Sequence, residues 1–320
     1  MAKLAHFQNF AKLKDTSVEF NDITVLAGKP GTGKSYVMKF IYGIHEASNK
    51  ATEDAKDMLS KKSDLNIAIN TLVKELAIID GYTKEKPLTL NDKKISELPG
   101  FFKTLNKVSE IQKEAQILNN MRNNYKGISE ENFNSKSIGN ILTAIFTDLS
   151  QISKDFNVRY LDQKISISND ELIVKEDIDS IIATNNIFVE SPLIIEFHKH
   201  MDRREAKTPY HIESLLNILD KDYSFTDEDQ DELIKKFSKK TKTIIGGDIK
   251  NRDGSFMFSR NDDKDYNIFN TSSGTKSIGL LQYLVTNKAL KKGSVLFWEE
   301  PEVHLHPEWQ LKMVDLFVEL

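Results

Sequence analysis

The chain has 320 residues, of which 39% are hydrophobic and 29% charged, and its formal net charge is −4. This composition is typical of a soluble globular protein with one large domain or two ordinary ones, and it excludes general disorder. Because there is no cysteine, no secretory signal and no apolar stretch that could span a bilayer, we expect a cytoplasmic protein without disulfides, thiol nucleophiles, cysteine-bound zinc or a membrane partner.

The N-terminal residues predict short strands, a glycine-rich turn and a helix. Ser17 to Phe20 alternates polar and apolar side chains, and Ile23 to Ala27 reads as a short apolar strand. The turn GKPGTGKS follows, and apolar residues at helical spacing then predict a helix over Ser35 to Glu46.

The character of the chain changes between residues 47 and 156. Lys, Glu, Asn and Ser dominate this part, and apolar residues recur at helical spacing, as in Leu65, Leu72 and Leu76. We interpret 47–156 as a helical insertion between two parts of one domain, 1–46 and 157–320. Its charged residues are interpreted as solvated faces, and a coiled-coil arm or partner-binding stalk is the alternative.

Strands and helices alternate in the remaining part of the chain. Asn169-Asp170 lies between two β-like runs and predicts a hairpin turn. The predicted elements are a strand near Val158, a hairpin over Lys164 to Val174, a strand over Asn186 to Val189, a mostly helical stretch over Glu213 to Lys239, strands over Thr243 to Ile245, Ser255 to Ser259 and Tyr266 to Phe269, a helix over Ser273 to Leu290, a buried strand over Ser294 to Trp298 and a helix over Glu308 to Leu320.

The glycine-rich turn fits G-x-x-x-x-G-K-[ST], the Walker A loop, and stands between a predicted strand and a helix. Its glycines let successive N–H groups point into one concavity, and the helix N-terminus adds partial positive charge for phosphate oxygens. The lysine can reach the β- and γ-phosphates, and the serine hydroxyl can coordinate Mg²⁺. The sequence therefore predicts a nucleoside triphosphate site at Gly28, Lys29, Pro30, Gly31, Thr32, Gly33, Lys34, Ser35 and Tyr36.

The second motif is an acidic segment, FWEEPEVHLHPEWQ, at the end of a buried apolar run. In P-loop proteins the acid that holds the metal ends a strand parallel to the Walker A strand, and Glu299 takes that place. Glu300 is then the candidate general base. Glu299 stands where Asp is usual, and its extra methylene moves the carboxylate outward. A metal site at His304 and His306 is the weaker alternative, because no further His or Cys with ligand spacing lies nearby.

A third motif, NTSSGTKS, precedes a predicted helix and contains Ser272, Ser273 and Gly274. It resembles the signature motif of ABC-type ATPases and is most similar to the SMC/OLD-like branch, whose soluble members include anti-phage defence and DNA-maintenance proteins. The segment EPEVHLHP resembles that branch's E-P-E-x-x-L-H-P, and FQNFAKLKD resembles its opening strand. The resemblance covers about 2–47 and 243–320. The alternative treats Ser272 to Gly274 as a helix N-cap alone.

The resemblance implies an α/β fold, a P-loop NTPase with an ABC-type mixed β-sheet flanked by helices and a helical insertion. It implies ATP and Mg²⁺ as cofactors and a homodimer or higher homo-oligomer, in which Ser272 and Gly274 close over the γ-phosphate bound to a second subunit. The expected protein is an ATPase that controls an effector, such as a nuclease or toxin, or acts on nucleic acid. The alternative is a nucleotide-gated scaffold that hydrolyses little ATP.

Other P-loop classes fit the sequence less well. The signature-like motif argues against a kinase, and the absence of N-K-x-D argues against a GTPase. The branch normally has a strand ending in a switch histidine beyond Walker B, and the chain ends at Leu320 before it, so we expect either a fragment or a poorly hydrolytic site. Gln151 and Gln163 lie where a Q-loop glutamine is expected, but no motif surrounds either.

Overall fold

The computed structural model describes residues 3–50, 113, 130–146, 149, 152–153, 155–160, 163–168, 171–175, 185–198, 208–221, 223, 228–252, 254–262 and 264–320. The chain divides into two compact units, Met1–Asn49 with Asn134–Leu320, and Lys50–Phe133. The second unit lies almost wholly outside the described residues, so the helical character of the insertion stays a prediction. Its predicted C-terminal limit, residue 156, lies beyond the limit of the second unit.

A five-stranded antiparallel sheet forms the first part of the larger unit, with strand order β2-β1-β3-β4-β5. Alternation along its first strand puts Ala5 and Phe7 in the core with no exposed surface. The strand predicted at Ser17 to Phe20 and the hairpin predicted over Lys164 to Val174 are both present. The elements are β1 (Lys3–Phe10), β2 (Leu13–Phe20), α1 (34–50), α2 (Glu130–Phe146), β3 (Phe156–Tyr160), β4 (Gln163–Ser168) and β5 (Glu171–Lys175).

Helix α1 packs between this sheet and α2, and its burial fixes the position of the turn before it. Gly43 meets α2 so closely that an added Cβ would lie 2.7 Å from Leu142 Cδ2. Aromatic rings from the sheet and from α1 meet edge to face, as in the pair Phe10 and Phe40 with ring centroids 4.9 Å apart. The fully buried residues of α1 include Phe40, Tyr42 and Ile44.

The other elements follow in chain order and share a second hydrophobic core. Ile249 and Phe258 bury one face of a three-stranded antiparallel sheet, with strand order β7-β8-β9, against that core. The elements are β6 (Asn186–Val189), α3 (Ile194–Phe197), α4 (Tyr210–Asp220), α5 (Glu228–Ile245), β7 (Gly247–Arg252), β8 (Ser255–Arg260), β9 (Asp265–Asn267), α6 (Ser273–Thr286), β10 (Val295–Trp298) and α7 (Pro307–Glu319).

Two predicted strands are wrong. Thr243 to Ile245 forms the last turn of α5, where Ile245 is buried against the core. Ile23 to Ala27 is not a strand, and Ile23 and Val25 are 51% and 81% exposed. No described strand pairs with this segment, so its backbone has no ladder to extend. The helix predicted to reach Leu290 ends at Thr286.

Strand β10 pairs in parallel with β6, not with the segment before the glycine-rich turn. In the register of this pair Trp298 is the partner of Val189. The backbone N–H of Glu299 donates to the carbonyl of Val189 over 2.9 Å. The carboxyl ends of both strands therefore meet at one edge. Residues that follow these two strands are brought side by side, although more than a hundred positions separate them along the chain.

Candidate active site

The glycine-rich turn forms a compact loop closed by its own lysine. Lys34 Nζ donates to the carbonyl oxygens of Gly28 and Lys29, over 2.8 and 3.0 Å. Gly31 and Gly33 have φ values of 71° and 102°, which L side chains rarely adopt, so the curl of the backbone depends on glycine at both positions. The predicted loop is therefore present and leads directly into α1.

The turn between β1 and β2 lies beside this loop. A Cβ added at Gly31 would lie 3.5 Å from Lys12 Nζ, and one added at Gly33 would lie 3.8 Å from Ala11 Cβ. Lys12 thus brings a second cation to the loop, which sequence reasoning missed because the hairpin turn is separated from it by a whole strand. Tyr36 is 37% exposed and stacks on Phe146, with ring centroids 5.5 Å apart.

Ser35 and Glu299 are brought together at the start of α1. The Ser35 hydroxyl lies near the Glu299 carboxylate, and burial raises the pKa of that carboxyl against the opposing effects of Lys39 and Ser35. Glu299 Oε1 is buried and has no hydrogen-bond partner among the described residues. A serine hydroxyl and a carboxylate oxygen without a partner are the hard oxygen donors that Mg²⁺ prefers, so the residues fit this metal.

Glu300 follows Glu299 and adopts a strained backbone conformation. Its φ is 45°, and its side chain is exposed. A left-handed conformation costs a non-glycine residue roughly 1–2 kcal/mol and is most often retained at functional sites. The backbone N–H of Val303 donates to the Glu300 carbonyl over 3.0 Å, which closes the turn after β10. The turn presents the Glu300 carboxylate outward.

Three residues that the sequence analysis did not single out form an ion cluster at the same edge. Glu190 follows β6 and accepts a hydrogen bond from Lys39 Nζ over 2.8 Å through one carboxylate oxygen. Its other oxygen lies 2.7 Å from His211 Nε2. The hydrogen bond from His211, together with Lys39, lowers the pKa of Glu190 to about 2, although burial opposes the shift. Glu190 is therefore held as a carboxylate.

The signature-like residues begin α6 and differ in exposure. Ser272 is exposed and caps the helix, accepting a hydrogen bond from the Thr275 N–H over 3.1 Å. Ser273 is half-buried and Gly274 is buried, so Ser272 is the most exposed of the three signature-like residues. An added Cβ at Gly274 would lie 3.3 Å from the Trp309 ring and 3.4 Å from the His304 carbonyl.

The structure gives no support for a metal site at the two histidines of the acidic segment, and it does not test the two candidate Q-loop glutamines. His304 and His306 are exposed, and His306 caps α7. Within the ranges that the structure describes, no group of three or more His, Asp or Glu side chains could hold a metal. Gln151 and the side chain of Gln163 lie outside the described residues, so the prediction of a Q-loop glutamine stays a prediction.

Comparison with known proteins assigns a family. The family model for the AAA ATPase domain matches residues 5–320, a range that contains the glycine-rich loop, the acidic pair and the signature-like turn. No curated protein matches the chain. Among the described residues, every helix is too short or too polar to cross a membrane.

Proposed function

The chain belongs to the AAA ATPase domain family, and on that premise we propose that it is an ABC-type ATPase of the SMC/OLD-like branch. The family supports ATP binding and hydrolysis. In the proposed cycle two subunits form a homodimer around ATP and control an effector or act on nucleic acid, in anti-phage defence or DNA maintenance. The proposal depends on one observation, that the structure brings Ser35 of the glycine-rich loop and the Glu299 carboxylate close together.

The residues of the loop would bind the triphosphate. Its N–H groups surround the phosphate oxygens, and Lys34 leaves the carbonyls of Gly28 and Lys29 to contact them. Ser35 and Glu299 would hold Mg²⁺, which, when bound, neutralises charge on the phosphates. Glu300 accepts a proton from the attacking water, because it is the exposed carboxylate next to Glu299.

The exposed cap of α6 supports a contact with a second subunit. Ser272 presents its hydroxyl at the N-terminus of a helix, where the partial positive charge favours an anion. Gly274 packs on the turn after β10, which places this cap beside the segment containing Glu300. In the proposed dimer the cap faces the γ-phosphate held by the other subunit's loop.

We predict that Ser272→Asp weakens the ATP-dependent dimer, whereas Ser272→Asn weakens it less. Both side chains can cap α6, so the helix is retained in each. Only Asp places a negative charge opposite the γ-phosphate, and like charges across an interface cost several kcal/mol. Sedimentation with ATP measures the dimer, and nucleotide titration of the monomer is the control. Weaker nucleotide binding by monomeric Ser272→Asp would mean that the motif acts within one subunit.

A basic concavity favours the nucleic-acid branch of the proposal. It has a volume of about 570 Å³ and lies between the end of α5 and the open face of the sheet formed by β7, β8 and β9. Asp248 and Asp265 are its carboxylates, and each forms an ion pair of 2.6 Å. Five cations line the concavity against these two carboxylates, and Arg260 also pairs with Asp262 over 3.6 Å, so the excess is two positive charges. The cations are Lys239, Lys242, Lys250, Arg252 and Arg260.

Replacing Lys239 and Lys250 together with Ala is predicted to weaken DNA binding. Each lost phosphate contact should lower the slope of log affinity against log salt by about one. Fluorescence anisotropy with labelled duplex DNA at several salt concentrations measures both the affinity and its salt dependence. Lys164→Ala, an exposed lysine on β4, is the matched control. Equal affinities for the double variant and the control would remove the concavity from the proposal.

A nucleotide-gated scaffold with little hydrolysis is the second candidate. Glu299 stands where an aspartate is usual, and its raised pKa reflects a carboxylate that is costly to ionise without a cation. Such a protein would form the dimer with ATP but release little phosphate. Measuring phosphate release and dimer formation under the same conditions separates the two candidates.

A further inference from the structure

Two carboxylates follow adjacent parallel strands at the edge that faces the start of α1. Val189 and Trp298 are paired in the register of β6 and β10, so Glu190 and Glu299 leave the sheet at the same level. Glu299 lies near Ser35, and the neighbouring carboxylate of Glu190 disfavours its charged form. Both acids therefore share one electrostatic environment.

Lys39 of α1 lies close to both acids. Lys39 is one turn after Ser35 on α1, so both side chains project from the same face of the helix. Its ammonium is 2.8 Å from Glu190 Oε1 and is close enough to Glu299 to stabilise the charge of that carboxylate. The Lys39 side chain is only 17% exposed. Such a cation needs a carboxylate partner, since a buried unpaired charge is costly.

Glu190 is fixed in place by contacts through both of its oxygens. One oxygen accepts from Lys39, and the other lies 2.7 Å from His211 Nε2 in a side chain that is 1% exposed. His211 is in the first turn of α4 and contacts Phe188 of β6, with ring centroids 5.2 Å apart. The imidazole is thus packed in position and directs the carboxylate toward Lys39.

We infer that Glu190 is a positioning residue that keeps Lys39 from pairing with Glu299. With Glu190 present the ammonium has a partner, and Glu299 Oε1 stays without one. Without the Glu190 charge, Lys39 can pair with Glu299, whose charge it already stabilises, and the ammonium then competes with Mg²⁺ for that carboxylate. This inference rests on the proposed metal-binding role of Glu299 and adds a residue that keeps Glu299 available.

The test compares E190Q, K39M and the double variant E190Q/K39M. Affinity for a fluorescent ATP analogue is measured across Mg²⁺ concentrations and again in EDTA. For E190Q we expect the Mg²⁺ concentration at half-maximal binding to rise roughly tenfold, because a neighbouring ammonium then competes with the cation for the same carboxylate. Affinity in EDTA should stay the same. In E190Q/K39M the Mg²⁺ requirement should return toward that of the parent.

The double variant distinguishes positioning from a structural role. If E190Q/K39M needs as much Mg²⁺ as E190Q, Glu190 does not act through Lys39 and the inference is wrong. K39M alone should need no more Mg²⁺ than the parent, and a tenfold rise would also overturn it, even if E190Q did not fold. E299Q checks the proposed function separately. An unchanged Mg²⁺ requirement in E299Q would contradict the metal assignment itself.

Discussion

Glu300→Gln is expected to lower ATP turnover by roughly 10²–10⁴-fold, the usual contribution of a positioned general base. Glutamine has the shape of glutamate but cannot accept the proton of the attacking water. The substitution leaves the backbone cost of the φ of 45° almost unchanged, so the turn after β10 should be retained. Nucleotide affinity should persist, and the variant should accumulate as an ATP-bound dimer. Single-turnover hydrolysis measures the loss of rate, and nucleotide titration measures the affinity for ATP.

Glu302→Gln is the matched control for this experiment. Glu302 is also exposed and lies in the same turn, but it is two residues farther from Glu299. Its substitution should leave turnover near that of the parent. Parental turnover in Glu300→Gln would assign the base to another residue, and loss of nucleotide binding would assign Glu300 to ligand contacts.

Lys34→Met should weaken ATP binding by about 1.5–3 kcal/mol, or roughly 10- to 150-fold. Methionine keeps most of the length of the side chain but removes the charge and the hydrogen-bond donors. The nucleotide titration should be accompanied by thermal unfolding, because Lys34 Nζ also donates to the carbonyls of Gly28 and Lys29. A small drop in melting temperature is expected from the loss of these two exposed bonds.

The control is Lys14→Met, which removes an exposed lysine from β2 and keeps the net charge equal to that of Lys34→Met. ATP affinity should match the parent in this variant. If Lys34→Met bound ATP as tightly as Lys14→Met, the assignment of the loop to the triphosphate would fail. The comparison also removes any effect of overall charge on binding of an anionic ligand.

Residues that act within one contiguous segment could be predicted from the sequence. The glycine-rich loop, the start of α1 and the acidic pair after β10 are local patterns, and each lies where the sequence placed it. The strand at Asn186–Val189 was also predicted, because a short apolar run can bury both of its faces. These elements can be predicted because residues that are adjacent in the sequence determine the backbone conformation of each one.

Residues that act through long-range pairing could not be predicted. Lys39 and Glu190 are separated by 151 positions, and only the register of β6 with β10 brings Glu190 beside Glu299. The error at Ile23 to Ala27 has the same origin, because apolar composition favours a strand but a strand also requires a paired neighbour. The sequence likewise gives no sign that Lys12 lies at the loop.

The contact between Gly274 and the turn after β10 joins α6 to the segment that contains Glu300. An added Cβ at position 274 would press on both the Trp309 ring and the His304 carbonyl, so there is no gap between α6 and this turn. A side chain at position 274 would therefore have to displace the His304 carbonyl in this turn or the Trp309 ring of α7. Two motifs that look independent in the sequence are accordingly coupled through packing, because a residue larger than glycine at 274 makes its neighbours from the second motif move by a few tenths of an ångström.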